Sequence, residues 1–109
     1  MAAVQEWNQE MFEQAIANGV AIADFFAVWC GPCKMMMSVL DKAVAEFNDD
    51  EIKAGKIDIE KCRELAVRYN IRTVPTFIIF KDGKIVEQLV GVRSQKALAG
   101  AMRNALEQN

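Results

Sequence analysis

Two cysteines, Cys30 and Cys33, have the spacing that most clearly indicates chemistry in this chain. They stand in the stretch WCGPCK, separated by Gly31 and Pro32. Such a pair can bind a metal, form a structural disulfide or act as a reversible dithiol. The chain has three cysteines and no histidine, which is too few ligands for a four-coordinate zinc site and too few cysteines for a disulfide framework. This composition favours reversible redox chemistry.

The overall composition excludes several classes of function. The 109 residues are 52% hydrophobic, which suits one domain with a single core, so we expect one domain over 1–109. Thirteen basic and 15 acidic residues give a formal charge of −2, with no basic cluster suited to nucleic acid. The start, MAAVQEWNQE, resembles no signal peptide, and no apolar run is long enough to cross a membrane. We therefore expect a soluble, cytoplasmic protein.

The elements next to the cysteines are a strand and a helix. Residues 20–28, VAIADFFAV, are apolar on both faces, as in a central strand covered on two sides. Residues 33–47 have apolar positions on one stripe and predict a helix. Cys30 therefore falls between the end of a strand and the start of a helix.

The rest of the chain continues this alternation. We predict helices over 10–18, after Ile59 and after the cap Ser94, a second strand over 51–59, and a weak edge strand within 3–6. The segments TFIIF and KIVEQLV flank Asp82-Gly83, a two-residue hairpin turn. Parallel crossovers followed by a hairpin predict an α/β fold with a mixed sheet covered on both faces.

The predicted place of Cys30 gives the two thiols different roles. A helix N-terminus presents unpaired N–H groups and a partial positive charge, which favour a thiolate. Cys30 is thus the expected nucleophile. Cys33, one turn later, is the expected resolving thiol, and Pro32 suits the first turn because its missing N–H would be unpaired there.

Five features together resemble the thioredoxin family over essentially the whole chain. They are WCGPCK after DFFAV, Asp24 within that apolar strand, TVPTF, the KDGK hairpin and Gly91. The resemblance implies the thioredoxin fold, with a five-stranded sheet in the order 1-3-2-4-5 flanked by four helices, and a cis peptide at Val74-Pro75. It also implies reduction of protein disulfides, with recycling by an NADPH-dependent flavoprotein thioredoxin reductase. No resident cofactor or metal is expected, and a monomer is expected.

Asp24 and Lys56 complete the expected catalytic set. A carboxyl group inside a strand needs a reason, since burying an unpaired carboxylate costs several kcal/mol. Our hypothesis is that burial raises the pKa of Asp24. Asp24, aided by Lys56 on the neighbouring strand, would then take the proton of Cys33.

A surface for the client protein is expected around the cysteines. Trp29 would wall the site, and the backbone of Val74 would pair with an extended client segment. The expected substrate-binding residues are Trp29, Gly31, Pro32, Val74, Pro75 and Gly91.

Several residues receive structural interpretations. Consecutive methionines Met35–Met37 point in different directions, so we expect core and rim positions rather than a copper site. Cys62 is expected to be a small buried hydrophobe on the face of the helix predicted after Ile59. Asn70 is expected to adopt a left-handed conformation at a helix end, and Ser38 replaces a helix-bending proline that is frequent in the family.

Two other classes of function remain open from the sequence. A zinc ion or an iron–sulfur cluster could be shared between two copies through their cysteine pairs. Alternatively, the fold could serve as a binding module that uses the apolar surface near Trp29. The client proteins and the redox potential are not specified by the sequence.

Overall fold

The computed structural model describes residues 1–108, which form a five-stranded sheet with helices on both faces. The strands are β1 (Val4–Glu6), β2 (Val20–Phe26), β3 (Ile52–Asp58), β4 (Thr76–Lys81) and β5 (Lys84–Val90). The helices are α1 (Gln9–Ile16), α2 (Gly31–Val44), α3 (Arg63–Arg68) and α4 (Gln95–Glu107). No helix among these residues is long and apolar enough to cross a membrane.

The sheet has the order β1-β3-β2-β4-β5, as predicted. β1 and β2 both pair parallel with β3, whereas β4 pairs antiparallel with β2 and with β5. Asp82 and Gly83 form the β4–β5 turn, and both have positive φ, at 50° and 83°. That combination matches the twist of a two-residue hairpin. The mixed sheet and the hairpin are confirmed.

The two faces of the sheet carry separate apolar clusters. On one face β2 and β4 pack against α2 and α4, with members that include Ile22, Met36, Leu40 and Leu98. On the other face they pack against α1 and α3, and Phe12, Tyr69 and Phe80 meet edge to face. Because β2 is covered on both sides, it is apolar at successive positions.

Side chains cap three of the helices. Asn8 accepts a hydrogen bond from the Met11 amide at 2.8 Å, and Ser94 accepts one from the Ala97 amide at 3.0 Å. Cys30 caps α2. Asn70 has a φ of 55° just after α3, which confirms the left-handed conformation expected there.

Several predicted boundaries were wrong by a few residues. β2 ends at Phe26, not at residue 28, because the chain turns there and the Cys30 amide donates to the Ala27 carbonyl. Val28 is therefore 58% exposed. α2 begins at Gly31 and ends at Val44, since Phe47 closes a turn onto Val44.

The interpretation of Cys62 also changes. Cys62 stands at the N-terminus of α3, outside the helix, and it is only partly buried. α3 itself has only six residues, Arg63–Arg68. Met36 is fully buried while Met35 is 56% exposed, which confirms the core and rim positions expected of the methionines.

Candidate active site

Cys30 and Cys33 are joined by a disulfide at the N-terminus of α2. Their Cα atoms are 5.3 Å apart. Cys30 is the N-cap residue, and its Sγ accepts a hydrogen bond from the Cys33 amide at 3.2 Å. Pro32 lies in the first turn, where a missing N–H leaves no bond unmade. The Cys33 amide, which has no hydrogen-bond partner within the helix, is therefore directed at the sulfur that would carry negative charge after reduction.

The disulfide lies in a small apolar setting with one open side. Cys30 is 4% exposed and Cys33 is 2% exposed, and both pack against Ala27 with Phe26 and Val74 nearby. Gly31 and Pro32, between the two cysteines, are exposed. Trp29 is 67% exposed directly before Cys30. The buried disulfide is therefore bordered by three exposed residues, Trp29, Gly31 and Pro32.

Two other segments frame the disulfide. The Sγ of Cys30 lies 3.7 Å from the Val74 carbonyl oxygen, and the Val74-Pro75 peptide is cis, as expected. The Gly91 amide donates to the Pro75 carbonyl at 2.8 Å. Gly91 has a φ of 89°, a backbone conformation that residues with a side chain rarely adopt. The chain after β5 is therefore held against the segment that contacts the sulfur.

Asp24 lies on the α2 side of the sheet, two residues before the end of the strand that leads to the cysteines. Side chains alternate along β2, so Asp24 follows Ile22 on the face that packs against Met36 and Leu40. α2 runs back along this face, and Cys33 precedes Met36 by one turn on the buried side. Asp24 and Cys33 therefore both lie toward the same end of the β2–α2 interface.

The carboxyl group of Asp24 is buried without a hydrogen bond. The residue is 0% exposed, and neither Oδ1 nor Oδ2 has a hydrogen-bond partner. Burial raises its pKa from 3.8 to about 7, against a smaller opposing attraction from Lys56. Such a group can exchange a proton near neutral pH.

Lys56 lies beside Asp24 on the neighbouring strand. The two residues are register partners in the parallel β2–β3 pair, so their side chains leave the same face. The Nζ of Lys56 lies 5.5 Å from the centroid of the Phe26 ring. Lys56 is half-buried, and this cation–π contact places its ammonium group over Phe26, two residues beyond Asp24 on β2.

The strand register places all ten predicted site residues toward the end of the sheet that carries the disulfide. The sequence interpretation missed the apolar neighbours Ala27 and Ile59 and the basic residues Arg72 and Arg93 of the flanking loops. The two arginines could have been found by counting charge near Val74 and Gly91. Ile59 carried no such signal, because only the folded β3–α3 loop places it there.

The third thiol lies elsewhere. Cys62 packs at the edge of the α1–α3 cluster, at the start of α3. Burial and the negative charges of Asp58 and Glu6 raise the pKa of its thiol. Among residues 1–108, no three His, Cys, Asp or Glu side chains group as a metal site would require.

Comparison with known proteins identifies the family. The family model described as "Thioredoxin" matches residues 3–104. The chain belongs to the thioredoxin family. It is 43% identical over 95 residues to a thioredoxin of Chlamydia trachomatis, covering 87% of this chain and 91% of that protein. It is 41% identical over 98 residues to a thioredoxin of Bacillus subtilis, covering 90% and 92%.

Solved thioredoxin structures share the fold. A mutant thioredoxin from Halobacterium salinarum is 34% identical, with a TM-score of 0.84, and the match covers 99% of this chain and 93% of that one. A thioredoxin from Trypanosoma brucei brucei is 28% identical, with a TM-score of 0.83 and coverage of 97% and 92%. The chain therefore has the thioredoxin fold. With its bonded Cys30–Cys33 pair, it is a thioredoxin-type dithiol–disulfide oxidoreductase.

Proposed function

We propose that this thioredoxin reduces disulfides of client proteins, with Cys30 as the nucleophile. The supporting observation is the hydrogen bond from the Cys33 amide to the Sγ of Cys30 at the start of α2. A thiolate formed there gains the same donor and the positive end of the helix.

The reaction takes place in two exchange steps. In the first, the Cys30 thiolate attacks one sulfur of the client disulfide, an S–S bond forms to Cys30, and the other client sulfur leaves as a thiolate. In the second, the Cys33 thiolate attacks the Sγ of Cys30, closing the disulfide and releasing the second client thiolate. Two electrons pass to the client, and two protons from the protein and solvent convert its thiolates to thiols.

Asp24 acts on Cys33 in the second step. Cys33 must lose its proton before it attacks, and it lies 2% exposed in an apolar setting. The Asp24 carboxylate at the same end of the β2–α2 interface accepts that proton, since its pKa of about 7 matches the working range of a general base. Lys56 supports the ionised form of Asp24 by its positive charge.

The exposed residues next to the disulfide position the client. Trp29, Gly31 and Pro32 offer a contact surface next to the disulfide, and the Val74 backbone pairs with an extended client segment. Pro75 and Gly91 hold that segment of the chain in place through their hydrogen bond.

The oxidised protein is then recycled by a partner. We assign this step to an NADPH-dependent thioredoxin reductase that itself carries the flavin, so the chain needs no cofactor beyond its own disulfide. We further propose a monomer in the cytoplasm, where reduced thiols are maintained.

Cysteine variants test the proposal. In the Cys33→Ser protein, the first step proceeds and the second cannot, so a mixed disulfide between Cys30 and the client should accumulate. Cys30→Ser should abolish reduction of insulin in a coupled NADPH and reductase assay. Cys62→Ser is the matched control and should retain turnover. Turnover in the Cys30→Ser protein, or client captured on Cys62, would contradict the assignment.

A further inference from the structure

Three segments of the chain surround the disulfide and form one surface. They are residues 29–37 at the start of α2, residues 70–76 before β4, and residues 90–96 after β5. The first two meet where the Sγ of Cys30 lies 3.7 Å from the Val74 carbonyl. The second and third meet at the Gly91–Pro75 hydrogen bond of 2.8 Å.

These segments carry positive charge only. They contain Lys34, Arg72, Arg93 and Lys96, all exposed, and no aspartate or glutamate. We call these four residues the basic rim. The whole chain has a formal charge of −2, so the positive charge of this surface is a local feature.

The helix geometry brings Lys34 toward the disulfide. Lys34 follows Cys30 by four residues, and its amide bonds to the Cys30 carbonyl at 3.3 Å, so both lie on one helix face. Helical Cα–Cβ bonds tilt toward the N-terminus, so the side chain of Lys34 leaves α2 on the side of the disulfide.

The charges of the basic rim are not neutralised by carboxylates. Among residues 1–108, none of the salt bridges involves a rim residue. Arg72 donates to the amide oxygen of Asn70 at 3.1 Å, and Arg93 donates to the Val90 carbonyl at 3.1 Å. Both acceptors are neutral, so the guanidinium charges remain available to a partner.

The fourth side of the disulfide is mixed in charge. There the β3–α3 loop carries Glu60 and Lys61, and Lys61 pairs with Glu6 at 3.6 Å. Asp58, the last residue of β3, is 4% exposed and its carboxylate accepts a hydrogen bond from the Glu60 amide. The positive surface is therefore one-sided and follows the segments that contain Val74 and Gly91.

Apolar side chains are exposed between the basic groups. Trp29 is 67% exposed, Val90 is 46% exposed and Val92 is 54% exposed. A complementary partner would carry apolar residues next to its disulfide and acidic residues a few positions away.

We propose that the basic rim selects client disulfides flanked by aspartate or glutamate. This inference rests on the proposed function, because it concerns the clients of that same disulfide. Opposite charges across the encounter surface raise association rates by long-range attraction, and dissolved salt screens that attraction. The preference therefore belongs to the association step and weakens as ionic strength rises.

Three synthetic peptides test this preference. Each contains the same internal disulfide and apolar neighbours, with flanking positions filled by aspartate, by asparagine or by lysine. The reduced protein is mixed with each peptide, quenched with acid and separated by chromatography to give a second-order rate constant. Each constant is divided by that for dithiothreitol, which corrects for the effect of flanking charge on the thiols themselves.

At low salt we expect the aspartate peptide to react about 10-fold faster than the lysine peptide, within the range that steering produces. The ratio should fall toward 1 at high salt. In the double variant Arg72→Glu, Arg93→Glu the two new carboxylates offset Lys34 and Lys96, so the ratio should fall toward 1 even at low salt. Lys84→Glu, at the hairpin end of β5, makes a charge reversal far from the disulfide and should leave the ratio near that of the parent.

The outcomes separate the two proposals. If none of the peptides, including the asparagine one, is reduced faster than without protein, the proposed function fails. If the asparagine peptide is reduced and the aspartate and lysine peptides react equally, only the rim preference fails. Lys84→Glu reverses one charge and the double variant reverses two. If Lys84→Glu lowered the logarithm of the ratio by half as much as the double variant does, the preference would also be overturned, since net charge alone would then explain it.

Discussion

At residue 24 a carboxyl group occupies a position where central strands ordinarily bury hydrocarbon. Asp24 has no hydrogen-bond partner for either oxygen, and burial raises its pKa to about 7. Proton binding is therefore linked to folding. Below pH 3.8 both the folded and the unfolded chain hold the proton. Between 3.8 and about 7 only the folded chain holds it, so the free energy of unfolding falls as pH rises through this window.

We expect Asp24→Asn to remove this pH-dependent loss. At about 1.4 kcal/mol per pH unit, the wild type loses about 4 kcal/mol between pH 3.8 and 7. The variant should therefore be more stable at pH 8, by up to about that amount, and should gain little at pH 4. Urea unfolding of the oxidised protein at both values measures the difference.

Asp41→Asn is the control for this change, because Asp41 is an exposed carboxylate on α2. It should not reproduce the pH-dependent gain. Asp24→Asn should also slow release of the client from Cys30 at neutral pH, where the wild-type group can accept a proton. An equal gain at pH 4 and pH 8, with an unchanged release rate, would contradict the role of the buried carboxyl.

The two tryptophans allow a spectroscopic prediction at single-residue scale. Trp29 adjoins the disulfide and is 67% exposed, whereas Trp7 is 4% exposed beside β3. Reduction should change the emission of Trp29. Trp29→Phe should abolish the redox-dependent change, and Trp7→Phe should preserve it. A redox-dependent change that persists in Trp29→Phe would contradict the assignment of this signal to Trp29.

At the scale of elements, the packing of Trp7, the residue after β1, against β3 requires a residue without a side chain at position 55. Gly55 lies in β3, and a Cβ atom added there would overlap the indole ring of Trp7. We expect Gly55→Ala to lower the free energy of unfolding by about 1–3 kcal/mol, the usual cost of overpacking. Denaturant unfolding measures it.

Gly100 supplies the matched control. It lies inside α4 and is exposed, and an added Cβ would meet nothing within 4 Å. Gly100→Ala should raise stability by about 0.5–1 kcal/mol, since alanine loses less backbone freedom in a helix. If both substitutions had the same sign, the steric explanation for Gly55 would be wrong.

Local patterns predicted the order of the elements well. The hairpin at Asp82-Gly83, the cap at Ser94 and the left-handed Asn70 depend on the chemistry of one or two residues, and each is confirmed. The strand order and the cis Val74-Pro75 peptide came from resemblance to a family. They depend on contacts between distant segments, which local patterns do not encode.

The sequence interpretation failed where tertiary contacts override an apolar pattern. Val28 continues the apolar run of β2, yet the chain turns after Phe26 to start α2, and Val28 becomes exposed. Cys62 has the spacing of a helix-face residue but stands before α3. The packing of Trp7 over Gly55 was not predicted, because it joins positions far apart in the chain.

At the scale of the whole molecule, the two apolar clusters share one sheet. β2 and β4 contribute side chains to both clusters. Loss of either cluster would therefore expose one face of strands on which the other cluster also depends. The Cα radius of gyration is 12.4 Å, close to the value of about 13 Å expected for one domain of this length. We propose that the part of the chain that the structure describes, residues 1–108, folds as one cooperative unit.

Cooperative unfolding gives the corresponding prediction. Circular dichroism follows all the helices, whereas the emission of Trp7, measured in Trp29→Phe, follows the β1–β3 side of the sheet. The two denaturation curves should coincide for the oxidised protein. Separate midpoints would show that the sheet edge unfolds independently and would contradict a single unit.

The position of Cys62 outside the disulfide has a practical consequence for counting redox states. An alkylating reagent should add one group to the fully oxidised chain and three to the fully reduced chain, so each molecule carries its own reference label. Since burial and nearby acidic groups raise the pKa of this thiol, it should label slowly in the native protein. Labelling in denaturant avoids this delay, and the mass increment then gives the fraction of molecules in which Cys30 and Cys33 are oxidised.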